Sequence, residues 1–218
     1  MGLHGDGVKL ATAFFARSTL TVARELLGHR LVRKLPDGQR VAGRIVESEG
    51  YTADDPAFRG WGIMDPGFHL VKPEGRGFDL FRRPGTAYVY RVHVYWMLNV
   101  VTERDGVPGC VLIRAVEPEE GLALMWTHRP SARREPDLTS GPGKLTLAFG
   151  IDKSLHGSDL TKGDVFFEMG IPFLQKEIGI SARIGLRHGA DLPRRFYALG
   201  NRYVSPGKPG KLGIKRHR

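Results

Sequence analysis

At 218 residues, 41% hydrophobic and 26% charged, the chain has the make-up of one globular domain with a substantial core. It holds no apolar run long enough to span a bilayer and no basic–apolar–small leader. Its one cysteine, Cys110, excludes a disulfide framework or multi-cysteine zinc site and fits a reducing, intracellular setting.

The 33 Lys and Arg exceed the 23 Asp and Glu by ten, a surplus that favours a polyanionic partner, most simply nucleic acid, over a merely solvated basic surface. The cations concentrate at the end: Leu192 to Arg218 carries eight and no acid. The histidines are scattered without ligand spacing, so no metal site is expected.

Residues 1–17 read as an extension with little pattern, 18–205 as one domain, and 206–218 as a basic tail. Thr21 is placed to N-cap a short helix through Leu27, with Gly28 as its C′ residue. "HRLVRKL", the turn Pro36-Asp37-Gly38 and "RVAGRIVESEGY" read as a β-hairpin. Residues 52–85, rich in Gly and Pro, form a long loop, and loops of that length inside a domain are usually functional. "TAYVYRVHVYWMLNVV", 86–101, reads as one aromatic strand, and "GCVLIRAVEP", 109–118, as another with Cys110, Leu112 and Arg114 on one face. A helix is expected from about Pro118 through Trp126 and a shorter one over "KLTLAFGI". Hairpins without βαβ alternation give an α+β fold, a mostly antiparallel sheet flanked by short helices.

Strand alternation puts Ile45, Glu47, Glu49 and Tyr51 on one face of 43–51 and Val46 and Ser48 on the other. Two carboxylates there have three readings. They are an acid–base pair for glycosyl chemistry, one water-activating carboxylate beside one held in an ion pair, or two exposed acids. Tyr88, Tyr90, Tyr95 and Trp96 offer rings that stack on bases or simply fill the core. Asn99 in an apolar run needs partners for its amide. Arg114 on an apolar strand face demands a carboxylate or a phosphate. "TSGPGKL" fails the nucleotide-binding loop pattern because Leu145 follows Gly143-Lys144; it is an ordinary turn or a contact to a backbone phosphate.

Taken together, "VARELLGHRLVRKLPDGQRVAGRIVESEGY", "PGTAYVY", "LNVV", "VLIRAVEPEEGL", "SGPGKLTLAFGIDKSLHGSDL" and "RFYALGNRYVS" resemble the alkyladenine (3-methyladenine) DNA glycosylase family over roughly residues 20–205. The resemblance implies a single α+β domain with a curved antiparallel sheet. It also implies a monofunctional enzyme of base excision repair that flips damaged purines out of double-stranded DNA and hydrolyses the N-glycosidic bond without a cofactor, acting as a monomer in the cytoplasm or nucleoid. Glu49 would be the general base on a water, with Arg114 alongside and the backbone carbonyl of Ile184 helping to hold that water; Glu47 would be supporting. Tyr51 and Tyr90 would wall the base pocket, and Asn99 would act sterically against the exocyclic amine of guanine. Tyr88, Gly143 and Lys144 would face the DNA.

Two departures stand out. The family's pocket histidine is replaced by Phe58 and Arg59, which puts Phe58 on the pocket wall, and His69 is displaced. At the hairpin tip "VHVYWMLN" is one residue short of the family's wedge segment and lacks its glycine. His93 is the nearest wedge, Val92 or Tyr95 the alternatives, and the family places a tight turn near 93–94. The competing readings are a non-catalytic nucleic-acid-binding module on the same scaffold and a damage sensor with vestigial activity.

Overall fold

The computed structural model describes residues 7–58 and 76–208. Its centre is a curved sheet of eight strands in which every pairing is antiparallel, and short helices flank it, the α+β arrangement expected from the hairpin pattern. Strands β1 (Arg30–Lys34) and β2 (Arg40–Tyr51) form the hairpin read from the sequence. β3 (Ala87–Val92), β4 (Tyr95–Val101), β5 (Cys110–Glu120) and β6 (Val165–Glu168) complete the order β3-β4-β5-β2-β1-β6. β1 covers only the first half of β2; past Glu47 that edge is taken by β8 (Arg195–Ala198), with β7 (Ile178–Ser181) outside it. The helices are α1 (Thr12–Phe15), α2 (Thr19–Glu25), α3 (Leu122–His128) and α4 (Pro142–Ala148). No helix among the described residues is long and apolar enough to cross a membrane.

One sheet face carries the main core, in which Val22, Ala23, Leu26, Ile45, Val111, Ile113 and Val116 pack together. Each large aliphatic side chain fully buried there contributes about 1.5–3 kcal/mol. α2 lies directly on β2: Ser48 Oγ donates to the Ala23 carbonyl at 2.6 Å, and a Cβ on Gly50 would stand 2.8 Å from Leu20 Cδ2. The opposite face is smaller, more polar and holds the site.

Four expectations are corrected. The strand read over 86–101 is a hairpin, β3 and β4, with the tight turn at His93-Val94 that the family resemblance implies. His93 takes a left-handed φ of 51° to close it. α2 starts before Thr21 because the Glu103 carboxylate, 84 residues away, accepts from Thr19 N and Oγ1 and supplies the cap. Pro118 lies inside β5 and the helix begins at Leu122. Its register slips between the Glu120 and Pro118 pairings with Ala42 and Gly43, an irregularity of the kind that accommodates proline.

The fourth correction concerns the alternation of β2. Ile45 pairs with Val116 and Glu47 with Ala115, so Val46 is an extra residue; Ser48 then pairs with Ile113, so Arg114 is extra on β5. These bulges reset the alternation. Ile45 joins the main core, whereas Val46 packs with Ala115, Ala198 and Tyr203 on the other face.

Candidate active site

Glu47, Glu49 and Tyr51 project from β2 on the face away from α2, and Arg114 meets them from its bulge on β5. The guanidinium bridges the acids, Nε donating to Glu47 Oε1 at 3.0 Å and Nη1 lying 3.2 Å from Glu49 Oε2. Both carboxylates are fully buried and Arg114 nearly so. Burial opposes the Arg114 charge, but the Glu49 and Glu47 carboxylates outweigh it and raise its pKa. The group is a permanent cation.

The two acids differ in how their oxygens are occupied. A carboxylate offers about four lone-pair positions. Glu47 receives four donors: Arg114 Nε, Arg195 Nε at 2.7 Å, Ser205 Oγ at 2.8 Å and Ser205 N at 2.7 Å. Three of them meet at Oε1 and Ser205 N alone reaches Oε2, so Glu47 is held by two guanidinium groups and a serine. Among the described residues Glu49 receives three: Ile184 N at 2.8 Å on Oε1, and on Oε2 the Tyr51 hydroxyl at 2.9 Å and Arg114. Its Oε1, which takes the Ile184 amide alone, has room to accept a proton from a water. Of the three sequence readings, the arrangement fits one water-activating carboxylate beside one locked in ion pairs.

Tyr51 links this pair to a cavity. Burial first, then the neighbouring Glu49 carboxylate, push its phenol well above the usual range, which keeps the hydroxyl protonated as a donor. Its ring joins Tyr88, Tyr90, Asn99, Cys110, Ala57 and Leu186 around a pocket that opens to solvent. Tyr88 and Tyr90 stack with centroids 5.1 Å apart. His156 fixes Tyr88 from behind, its ring edge-on at 5.9 Å, its Nδ1 accepting from Val89 N and its Nε2 3.3 Å from Asp79. Asn99 is oriented by its surroundings. Its Nδ2 donates to the Tyr88 and Met97 carbonyls, and its Oδ1 lies 3.8 Å from Cys110 Sγ. Burial, with Asp55 nearby, pushes the Cys110 thiol far up, so it donates rather than reacts.

The structure thus brings Glu49, Arg114, Ile184, Tyr51, Tyr90 and Asn99 into one constellation. Tyr88, expected to face DNA, is buried and lines the pocket. His93 lies apart, exposed at the β3–β4 tip between Val92 and Val94, and Tyr95 follows, half-exposed. Gly143 is buried beneath that tip: a Cβ there would sit 2.7 Å from Tyr95 Cβ and Cγ. Lys144 is part-exposed and lies 3.4 Å from Ser140 Oγ. The Phe58 side chain, Arg59 and His69 lie outside the described residues. For Ile184 the contact on Glu49 is its amide N–H; the expected part is its carbonyl.

Sequence reasoning missed Arg195 and Ser205, which hold Glu47 together with Arg114. It also missed Arg183 and Asp55, a fully buried pair beneath Tyr51. The acid-free stretch after Leu192 was read as charge for an external polyanion. Two of its cations turn inward instead, Arg194 to Asp54 and Asp55 and Arg195 to Glu47.

A family model described as methylpurine-DNA glycosylase matches residues 13–202. A protein of Salinibacter ruber named "Putative 3-methyladenine DNA glycosylase" is 51% identical over 202 residues, 92% of this chain and 98% of its own. Relatives of the same name from Methanocella arvoryzae and Carboxydothermus hydrogenoformans are 42% and 40% identical, covering 91% and 90% of this chain and 96% and 98% of theirs. With a buried carboxylate beside an aromatic pocket and the family's pattern along nearly the whole fold, the chain belongs to the methylpurine-DNA glycosylase family and is a DNA-repair glycosylase.

Proposed function

We propose that this protein excises alkylated purines, 3-methyladenine and also 7-methylguanine, from double-stranded DNA, leaving an abasic site without cutting the strand. The observation that carries this reading is the unequal engagement of the two acids: two guanidinium groups hold Glu47, whereas Glu49 has one and is hydrogen-bonded to a tyrosine of the pocket. A purine inside a duplex is unreachable, so the nucleotide is extruded and its base held between flat side chains, and damaged bases cost less to unstack. Tyr51, Tyr88 and Tyr90 are those side chains, and Asn99 acts sterically against the exocyclic amine of guanine, a penalty that 7-methylguanine, which keeps that amine, offsets by its cationic, weakened glycosidic bond. The exposed tip at His93, with Val94 and Tyr95 beside it, fills the gap in the stack. Lys144, above the buried Gly143, faces the backbone. The enzyme acts as an intracellular monomer.

For the chemistry, Glu49 accepts a proton from a water aimed at the anomeric carbon, and the Ile184 carbonyl orients that water. As the C–N bond breaks, its electron pair leaves with the base, discharging the positive charge that alkylation placed on the purine. The sugar acquires oxocarbenium character, which the nearby carboxylate stabilises. Arg114 and the Tyr51 hydroxyl hold the Glu49 carboxylate in place.

Single-turnover release of bases from methylated duplex DNA, with Glu49→Gln beside wild type, tests this. Wild type should release 3-methyladenine, and the variant should release none while binding the DNA. Undiminished release by the variant removes the assigned mechanism. Tight binding with no release by either protein returns the non-catalytic module.

A further inference from the structure

Arg183 has no part in the chemistry above, yet it is wholly buried one residue before the amide that contacts Glu49. An interior guanidinium is a poor way to gain stability, since apolar groups of similar volume often do as well or better. Its hydrogen bonds show what it holds. Nη1 donates to Asp55 Oδ2 at 2.5 Å and to the Gly50 carbonyl at 3.0 Å; Nη2 donates to Asp55 Oδ1 at 2.8 Å and to the Gly189 carbonyl at 3.2 Å. The Tyr51 ring lies over its carbon at 4.4 Å. Nε is buried without a partner. Asp55, also buried, accepts from Arg194 Nη1 at 3.0 Å and from Ala57 N at 3.0 Å, and Ala57 lines the base pocket.

One planar group therefore ties together three stretches of chain that all end at the site. Gly50 is the link in β2 between Glu49 and Tyr51. Asp55 begins the turn that delivers Ala57. The 183–189 segment brings Ile184 to Glu49 and Leu186 to the pocket wall. A guanidinium has the fixed fork needed to satisfy a carboxylate bidentately while also reaching two carbonyls; an ammonium does not.

We infer that Arg183 and Asp55 are positioning residues for base excision, a buried clamp that seats the Tyr51 ring and sets the Ile184 amide against Glu49. This rests on Glu49 being the general base. The clamp touches neither the lesion nor the water. It acts by fixing the two groups that do, where an error of about 1 Å costs on the order of a hundredfold in rate.

The test uses Arg183→Lys and Asp55→Asn in the full chain. Three quantities are measured: the single-turnover rate constant at saturating enzyme, the Kd for duplex DNA carrying a stable abasic-site analogue, and the thermal midpoint. The rate constant is read per bound complex, so a partly unfolded preparation lowers the amplitude and not the rate constant. The expected result is a rate constant down by roughly 10- to 100-fold with Kd changed less than about threefold. Combination with Tyr51→Phe should give less than the product of the single effects, since both act on one group. Rate constants within about twofold of wild type, with losses confined to amplitude and midpoint, would overturn the inference and leave a purely structural pair. If Arg183→Lys does not fold, Asp55→Asn, which keeps the shape of the pair, decides the matter. Glu49→Gln run in parallel separates the two claims. An inactive Glu49→Gln beside wild-type rate constants in the clamp variants sinks the clamp alone, whereas an active Glu49→Gln sinks the base and the clamp with it.

Discussion

Glu47→Gln separates the two acids by experiment. The substitution keeps the shape of a side chain whose four donors include two buried guanidinium groups. In the best orientation the amide oxygen takes the place of Oε1, where three donors converge, and the NH₂ group then points at the Ser205 N–H, donor against donor. That amide loses its acceptor, a loss of about 1–3 kcal/mol for a buried donor. Arg114 and Arg195 lose the anion between them, and breaking a buried pair costs about 3–5 kcal/mol. The losses share one network and do not add, so the net is about 3–5 kcal/mol. At about 2–4 °C per kcal/mol for a chain of this size, the midpoint should fall by roughly 10 °C. Glu49→Gln should shift the balance the other way. Its amide oxygen can take the place of Oε2 for Tyr51 and Arg114, which leaves the Ile184 N–H without its acceptor, a loss of about 1–3 kcal/mol. Arg114 keeps Glu47; the midpoint should therefore fall less than in Glu47→Gln, by roughly 5 °C, while excision disappears. Thermal melts by circular dichroism beside single-turnover base release give both coordinates for both variants. A Glu47→Gln protein that melts within about 2 °C of wild type would refute the account of Glu47 as a carboxylate held in a buried ion-pair network.

Two further outcomes follow from the geometry. His29 is buried, its Nδ1 accepts from Gly170 N at 3.0 Å, and its ring packs edge-on against Phe14, so the fold holds it neutral. Burial lowers its pKa, with Glu25 opposing and Arg17 assisting. A folded value below the unfolded one, about 6.5, means the stabilisation is present above that pH and lost as pH falls through the folded value. Thermal midpoints of wild type should therefore drop on going from pH 7.5 to 5.5 more steeply than those of His29→Gln; parallel slopes would exclude His29 as a source. Gly143→Ala would place a methyl 2.7 Å from Tyr95 Cβ and Cγ, pushing the β3–β4 tip off α4. Excision from duplex DNA should fall more than excision from single strands, and equal effects on both would mean that the tip does not serve extrusion.

Much of this was legible in the sequence because it depends on local rules. The β1–β2 hairpin follows from two apolar runs around Pro-Asp-Gly, and the fold class from hairpins without crossover helices. Glu49, Tyr51, Asn99 and Arg114 stand out in the sequence as polar groups on apolar strands, and the family resemblance is what gives each a role. What escaped depends on contacts distant along the chain. The start of α2 is set by Glu103 and the clamp by Asp55 and Arg183, 128 residues apart; the local break in 86–101 is hidden from pattern because His93 and Val94 are not turn formers, and only the family resemblance places it. Arg194 and Arg195 sit in a basic run that gives no hint of which cations turn inward.

The paired bulges explain why two acids could be placed on this strand at all. Under strict alternation a core-facing Ile45 would carry Glu47 and Glu49 into the apolar core with it, since a one-residue shift moves a whole set of side chains to the other face. Val46 supplies that one residue on β2, so Ile45 stays in the main core while Glu47, Glu49 and Tyr51 turn to the site. The matching extra residue on β5 is Arg114 itself, between Ile113 in the main core and Ala115 beside Val46. A bulged residue is released from the ladder and the strand bends locally, and here the released side chain is the one that spans both carboxylates. The irregularity that hides the site from a simple reading of alternation is the same irregularity that assembles it.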